Sequence, residues 1–461
     1  MDSSVAAGSR GSRRNFRARG LGRRFGWGLA DQAVSSLTNF AVSLYVARSL
    51  GAMQFGAFAL AYVTYSFILN ASRGLATDPL LVRFSGAQQS AWRRAVASCT
   101  GTALAVGLVA GAAMLAVAML LSGTARVAFF AMGLTMPGLM LQDSWRFAFF
   151  AAGRGGQAFL NDIVWAIAMV PGLLALKITD RETVLWFVLV WGASANVAAA
   201  AGPFQARVIP RLLDAWSWVI RHRDLSFRYL AENTAFSGAA QLRITFLGVI
   251  SGLAAVGSVQ AAWVLMGPFL AALMGISLVT VPEAARLLKQ SPRKLKLFCL
   301  AIGGGAALAA LVWGVVLQIA LPIGVGHIVL RSLWRLTYPL VLPVTIWVMA
   351  TCLTVGASAG LRALGASRRS LRAMVLSSVT LVVASVLGAM AGDALGAVRG
   401  MAIAGFIAIF AWWWQLRAAL REANIASEGI GLIQSPTGRH RAPPAVVLRR
   451  SARTDRLSRA P

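Results

Sequence analysis

Apolar residues in this chain come in long runs. From Trp27 onward, segments of about 20 residues with almost no charge follow one another, the length an α-helix needs to cross ~30 Å of hydrocarbon. Twelve can be drawn, at 27–47, 54–72, 95–121, 127–150, 157–177, 184–205, 229–250, 256–278, 297–320, 338–361, 373–391 and 396–418. The least sharply bounded stretch is Leu321 to Thr337, between the ninth and tenth. The pattern predicts an all-α polytopic membrane protein with about 12 transmembrane helices.

Polar stretches divide the rest. Residues 1–26 are rich in Ser, Gly and Arg. The segment that follows them holds Asp31, Gln32 and Asn39 and has no small-x-small cleavage site, so it reads as a retained first helix rather than a signal peptide. Residues 206–228, with Trp216 and Trp218 among arginines, suit a helix lying in the membrane interface between two halves, 27–205 and 229–418. From 419 to 461 the chain turns into a basic, proline-containing tail expected to be disordered and drawn to anionic lipid. Trp412, Trp413 and Trp414 mark an aromatic belt beneath the last span.

Charge sets the orientation. The 461 residues carry 44 Lys plus Arg against 15 Asp plus Glu, a formal charge of +29, yet 58% are hydrophobic and mean hydropathy is +0.69. Only 13% are charged, which excludes a basic protein that binds nucleic acid from solution. With the N-terminus inside, 35 of the 44 cations fall on the cytoplasmic side and 7 outside. That bias in short loops predicts that both termini are cytoplasmic. The remaining two, Arg146 and Arg243, lie within spans. The GxxxG steps at Gly107–Gly111 and Gly248–Gly252 are expected to let helices approach closely. Cys99, Cys299 and Cys352 form no disulfide or zinc pattern. His222, His327 and His440 are scattered, and no GxxxxGK[ST] occurs, so neither a metal, a cofactor nor ATP hydrolysis is expected.

An internal repeat is the most informative feature. LADQAVSSLTNF from Leu29 aligns with LAENTAFSGAAQ from Leu230 at an offset of 201, pairing Asp31 with Glu232 and Gln32 with Asn233. The same offset pairs Gly51 with Gly252 and Gly56 with Gly257. Two residues later, Thr77-x-Pro79-x-x-x-Arg83 matches Thr280-x-Pro282-x-x-x-Arg286. Six spans per half give both halves the same orientation, hence two parallel six-helix lobes related by an axis along the membrane normal. Transporters with such repeats hold substrate between the lobes and rock one against the other.

The stretch from Gly26 to Ala61, GWGLADQAVSSLTNFAVSLYVARSLGAMQFGAFALA, resembles the opening of Wzx-like polysaccharide-biosynthesis flippases of the multidrug/oligosaccharidyl-lipid/polysaccharide (MOP) superfamily, which also contains the MATE exporters. The likeness rests on a polar first helix followed by Ala-Arg-x-Leu-Gly-x-x-x-Phe-Gly, here Ala47 to Gly56, and on LQDSWRFAFFAAGRGGQAFLND from Leu141 to Asp162. It implies a two-lobed, V-shaped bundle that flips a polyprenyl-diphosphate-linked glycan to the outer leaflet, alongside glycosyltransferases or a polymerase of the same pathway. It does not imply an enzyme.

Ionisable and amide groups inside spans are the site candidates, because each is costly in hydrocarbon. Arg243 suits a phosphate, or alternatively a structural ion pair. It shares a helix stripe with Glu232, ~16 Å away along the axis. Asp31 and Glu232 suit proton or Na⁺ coupling or sugar hydroxyls, or else the dipole of a helix start. Gln32, Asn39, Asn233 and Gln241 suit sugars or interhelical bonds. Arg146 suits substrate contact or else a local ion pair with Asp143, and Asn161 and Asp162 either cap a helix or face a cavity. Arg73, Asp78 and Arg83 stand at the cytoplasmic mouth. Two other functions remain open: a cation-coupled multidrug exporter of the same superfamily, and a membrane-embedded polysaccharide polymerase or ligase, for which the short outer loops leave little room.

Overall fold

The computed structural model describes residues 37–433 apart from 39 and 289; Asp31, Gln32, Asn39 and the ends of the chain lie outside the described residues. Everything regular among those described is helical. After α1 (40–49), the chain forms α2 (Ala52–Ser72), a π-helical turn at Arg73–Thr77, α3 (Asp78–Phe84), α4 (Gln89–Leu120), α5 (Gly123–Ala151), α6 (Gly155–Ile178) and α7 (Val184–Ala206). A short α8 (Ala215–Arg221) leads to α9 (Arg223–Leu288), α10 (Pro292–Ala320), α11 (Gly326–Leu330), α12 (Trp334–Ala363) and α13 (Ser367–Ile433).

Eight helical stretches are long and apolar enough to cross a membrane. Three of them are double. Pro292–Ala363 contains both α10 and α12, while α9 breaks at Gly252 and α13 at Gly392 and Asp393. Counted this way, the eight stretches hold eleven helices of membrane length among the described residues, and α1 falls within the first expected span, in keeping with about twelve. Gly252 turns with φ 80°, which a side chain would strain, whereas its repeat mate Gly51 has φ −71°, open to any residue.

Two boundaries differ from the sequence expectation. The seventh span's helix starts at Arg223, and the segment before it folds as a 3₁₀ turn at Leu212–Asp214 plus α8. Here Trp218 is buried while Trp216 and Leu213 face outward. The last helix runs on to Ile433 because residues 419–433 contain good helix formers, and the first proline is Pro436.

The repeat is visible in the packing. A Cβ on Gly56 would collide with the Leu253 carbonyl and lie 3.0 Å from the Gly257 nitrogen. A Cβ on Gly257 would collide with the Ala52 carbonyl and lie 3.0 Å from the Gly56 nitrogen. Residues 52 and 253, like 56 and 257, are one offset apart, so the contact is reciprocal, as an approximate two-fold axis between the halves requires. Of the two GxxxG steps, Gly107 and Gly111 press against Pro137 and Gly133 of α5 as expected. Gly248–Gly252 does not act this way. Gly252 serves the helix break and has open space around it.

Apolar packing shows where the halves separate. One buried cluster joins residues of both halves at the end remote from the arginine-rich loops, from Val42 and Phe55 to Val256, Val344 and Met401. At the arginine-rich end each half keeps its own cluster among the described residues, one around Trp92 and Trp145 and the other around Cys299 and Leu416. There the halves meet chiefly along α2, α3 and α9, where Gly74 lets the π-helical turn touch the backbone of Tyr229 and Leu230.

The connection between the halves contains a buried titratable group. His222 is buried against Trp218, with ring centroids 4.1 Å apart, and its Nδ1 lies 2.9 Å from the Trp218 carbonyl oxygen. Burial, reinforced by nearby Arg83 and Arg221, pushes its pKa below the usual histidine value. The folded state therefore favours neutral imidazole. Its contribution to stability is complete above about pH 6.5 and is lost as pH falls through the depressed value. Thermal midpoints at pH 7.5 and 5 are expected to differ by less in His222→Phe than in the wild type, and equal pH sensitivity would show that His222 is not the group responsible.

Candidate functional site

A buried charge network occupies the first half. Arg73 leaves α2 at the π-helical turn, where the wider helix re-aims the side chain. It grips Asp143 of α5 with two bonds, Nε to Oδ2 at 2.9 Å and Nη2 to Oδ1 at 2.7 Å. Arg146 lies 3.7 Å from Asp143 but 3.1 Å from Asp162 of α6. Gln142 donates to Asp162 at 2.9 Å and to Asn161 at 3.2 Å, and Asn161 donates to Gln205 and to the Ala198 carbonyl. Arg73 also sits over the Phe147 ring at 5.0 Å. The local Asp143–Arg146 pair thus exists, but it is the weakest link in a web spanning four helices. Asn161 and Asp162 do not cap a helix, since α6 begins at Gly155, more than a turn earlier.

Groups on the seventh span separate by role. Asn233 donates to Asp78 Oδ2 at 2.8 Å and to the Asn70 carbonyl at 3.1 Å, tying α9 to α2. Gln241 donates to Thr64 at 3.1 Å and to Thr245 at 3.0 Å, while its own Oε1 is buried and unbonded among the described residues. Both amides therefore join the halves. Glu232 is exposed near the arginine-rich end, and Arg83 reaches Asp224 at 2.6 Å about two turns earlier on the same helix.

Arg243 stands apart. It is 8% exposed, and its Nη1 lies 3.5 Å from the Met401 sulfur. Among the described residues no carboxylate approaches it. By contrast three buried or half-buried carboxylates of the first half are bonded: Asp143 by Arg73, Asp162 by Arg146 and Gln142, and Asp78 by Asn233.

One turn from Arg243 toward the arginine-rich end, a cavity of about 280 Å³ opens between α9, α12 and the two arms of α13. Ala239 and Ala240 line it on the Arg243 helix, and Ala404 and Gly405 on the Met401 helix, so the Arg243–Met401 contact lies just beyond its outer end. Trp347, Trp412, Thr351, Thr354, Ser377 and Ser378 supply aromatic faces and hydroxyls. Trp412 donates to Ser377 at 3.1 Å, which orients that hydroxyl. Sequence reasoning passed over these residues. The available signal was a stripe at helical spacing, Trp347, Thr351 and Thr354, inside an otherwise apolar span.

The fold has solved counterparts. An inward-facing conformation of a multidrug resistance MATE family transporter of the MOP superfamily superposes with a TM-score of 0.69 at 15% identity, over 84% of this chain and 95% of that one. The chain has the fold of the MOP-superfamily transporters. The same holds for the lipid II flippase MurJ in an inward closed conformation, with TM-score 0.58, 10% identity and coverage of 87% and 93%. It holds also for a Pyrococcus furiosus MOP transporter described as having a binding pocket of reversed polarity, with TM-score 0.56, 12% identity and coverage of 87% and 95%. No family model and no curated protein matches the sequence. Within the MOP fold, an outward-facing MATE conformation superposes less well, at 0.51.

Proposed function

We propose that this chain flips an anionic lipid-linked saccharide, a polyprenyl-diphosphate glycan, from the cytoplasmic to the outer leaflet of the bacterial plasma membrane. In this reading both termini are cytoplasmic, and the lobes 27–205 and 229–418 rock about the glycine contact between their first hairpins. Glycosyltransferases or a polymerase acting on the same glycan would be its partners.

The observation that carries the reading is the balance of satisfied charge. Asp78, Asp143 and Asp162 already have donors, whereas Arg243, buried in the bundle, has no counter-ion among the described residues. A cation-binding exporter needs free acid in its cavity, while a diphosphate needs free cation. The aromatic and hydroxyl lining beside Arg243 is chemistry suited to a sugar, whose ring faces stack and whose hydroxyls accept and donate. The likeness to MurJ, described as a lipid II flippase, supports a lipid-linked substrate. The likeness to a multidrug MATE transporter supports the second reading, a cation-coupled exporter, in which exposed Glu232 would be the acceptor. Asp31, Gln32 and Asn39 are candidates on the first span, Asn39 being the repeat mate of the cavity-lining Ala240.

Reconstituted protein should move a fluorescent polyprenyl-diphosphate saccharide to the far leaflet, scored by its reaction with a membrane-impermeant reagent. Arg243→Gln is expected to slow this on the order of tenfold while still inserting and eluting as a single species. Transport of a lipophilic cation dye without the saccharide, unaffected by Arg243→Gln, would establish the exporter instead.

A further inference from the structure

We infer that a groove on the lipid-facing side of the last span is a specific site for one anionic phospholipid of the leaflet on the arginine-rich side. The groove, of about 680 Å³, lies between α10, α12 and the end of α13, a volume in the range of small-molecule sites. Its floor is a single stripe of α13, Phe406, Phe410, Trp414, Arg417 and Arg421, faced by Leu300 of α10. Steps of three and four residues put these side chains on one helix face.

The stripe changes character along its length. Phe406 and Phe410 are 55% and 65% exposed at its deep end, Trp414 lies in the middle, and two exposed arginines one turn apart close it. From Phe406 to Arg417 is ~16 Å along the helix, matching the ~15 Å hydrocarbon depth of one leaflet. A phosphate at Arg417 and Arg421 would thus have its acyl chains running beside Trp414 and the phenylalanines. The tryptophan is placed where the aromatic belt of a bilayer belongs.

Charge complementarity identifies the occupant. Glu422, the acid next to these arginines, is held by Arg369, which also donates to Gln415 at 3.0 Å. Arg417 and Arg421 are left with no carboxylate among the described residues. Positive-inside placement alone puts arginines at this depth, but it does not require them to end an apolar groove with the nearby acid turned away. Basic pockets of this kind on the cytoplasmic side suit anionic headgroups.

Native mass spectrometry of the full chain, released from mixed phosphatidylglycerol and phosphatidylcholine micelles, tests the site. The wild type is expected to retain phosphatidylglycerol on the order of tenfold over phosphatidylcholine, and Arg417→Gln/Arg421→Gln to lose most of that preference. A control with two other cations at the same face, Arg293→Gln/Lys294→Gln, should keep it. Trp414→Ala should weaken retention with both arginines intact, which separates the groove from bare charge. An unchanged ratio in the Arg417→Gln/Arg421→Gln variant would overturn the site. So would an equal loss in the control, or displacement of the phospholipid by stoichiometric polyprenyl phosphate. Saccharide flipping is read separately, so neither result decides the other.

Discussion

Asp143→Leu is expected to cost about 3 kcal/mol of stability, because it removes the carboxylate that neutralises a guanidinium held inside the bundle. Asp143 is almost wholly buried, its two oxygens take two bonds from Arg73, and Arg146 stands 3.7 Å away. Without it, Arg73 stays attached to α2 at a point where water reaches only part of the side chain. The damage belongs to the unpaired charge rather than to the lost contact. Arg73→Met/Asp143→Leu, which removes both charges, should therefore recover most of the stability. Thermal midpoints of the wild type, both single variants and the double variant form the cycle. If the double variant is as unstable as the sum of the singles, Arg73 and Asp143 do not act as a pair.

A comparable loss is expected when the reciprocal glycines acquire side chains. Gly56→Leu and Gly257→Leu each place carbon against a backbone carbonyl of the other half, which cannot rotate aside as a side chain could. Each should destabilise by about 3 kcal/mol or more, or prevent the two hairpins from docking. The approximate two-fold axis adds a sharper requirement, namely that the two costs be similar. Gly304→Ala is the control, since a Cβ there meets nothing within 4 Å. It should be neutral or slightly stabilising, as alanine is in a helix. A large effect at one glycine and none at the other would refute the symmetric contact.

Residue-type patterns reached some parts of the site and stopped at others for identifiable reasons. Arg146 and Asp143 were legible because i,i+3 neighbours on one helix are written in the sequence. Their stronger partners, Asp162 and Arg73, come from other helices, and spacing along a chain says nothing about which helix lies alongside. Asn233 and Gln241 were open between sugar contact and interhelical bonding. Only the position of α2 shows both holding the halves together, through Asp78, Asn70 and Thr64. Arg243 was identified as intramembrane by its place in an apolar run, but its lack of a counter-ion among the described residues depends on every helix around it. The groove at Arg417 was hidden as well, because a basic helix end is the ordinary mark of topology until the fate of Glu422 is known.

What the sequence determined by itself is the class of solution. Runs of twenty apolar residues leave the backbone no way to satisfy its polar groups in lipid except as helices. The skew of arginines orients them, and the offset of 201 makes the halves equivalent. Those properties are local or periodic, and local chemistry suffices for them. Tertiary structure decided which charges are neutralised, which amides are mortar, and where a cavity and a lipid groove open. These depend on side chains brought together from positions as far apart as Arg73 and Asp143, or Arg243 and Met401. Their energies exist only when the helices meet.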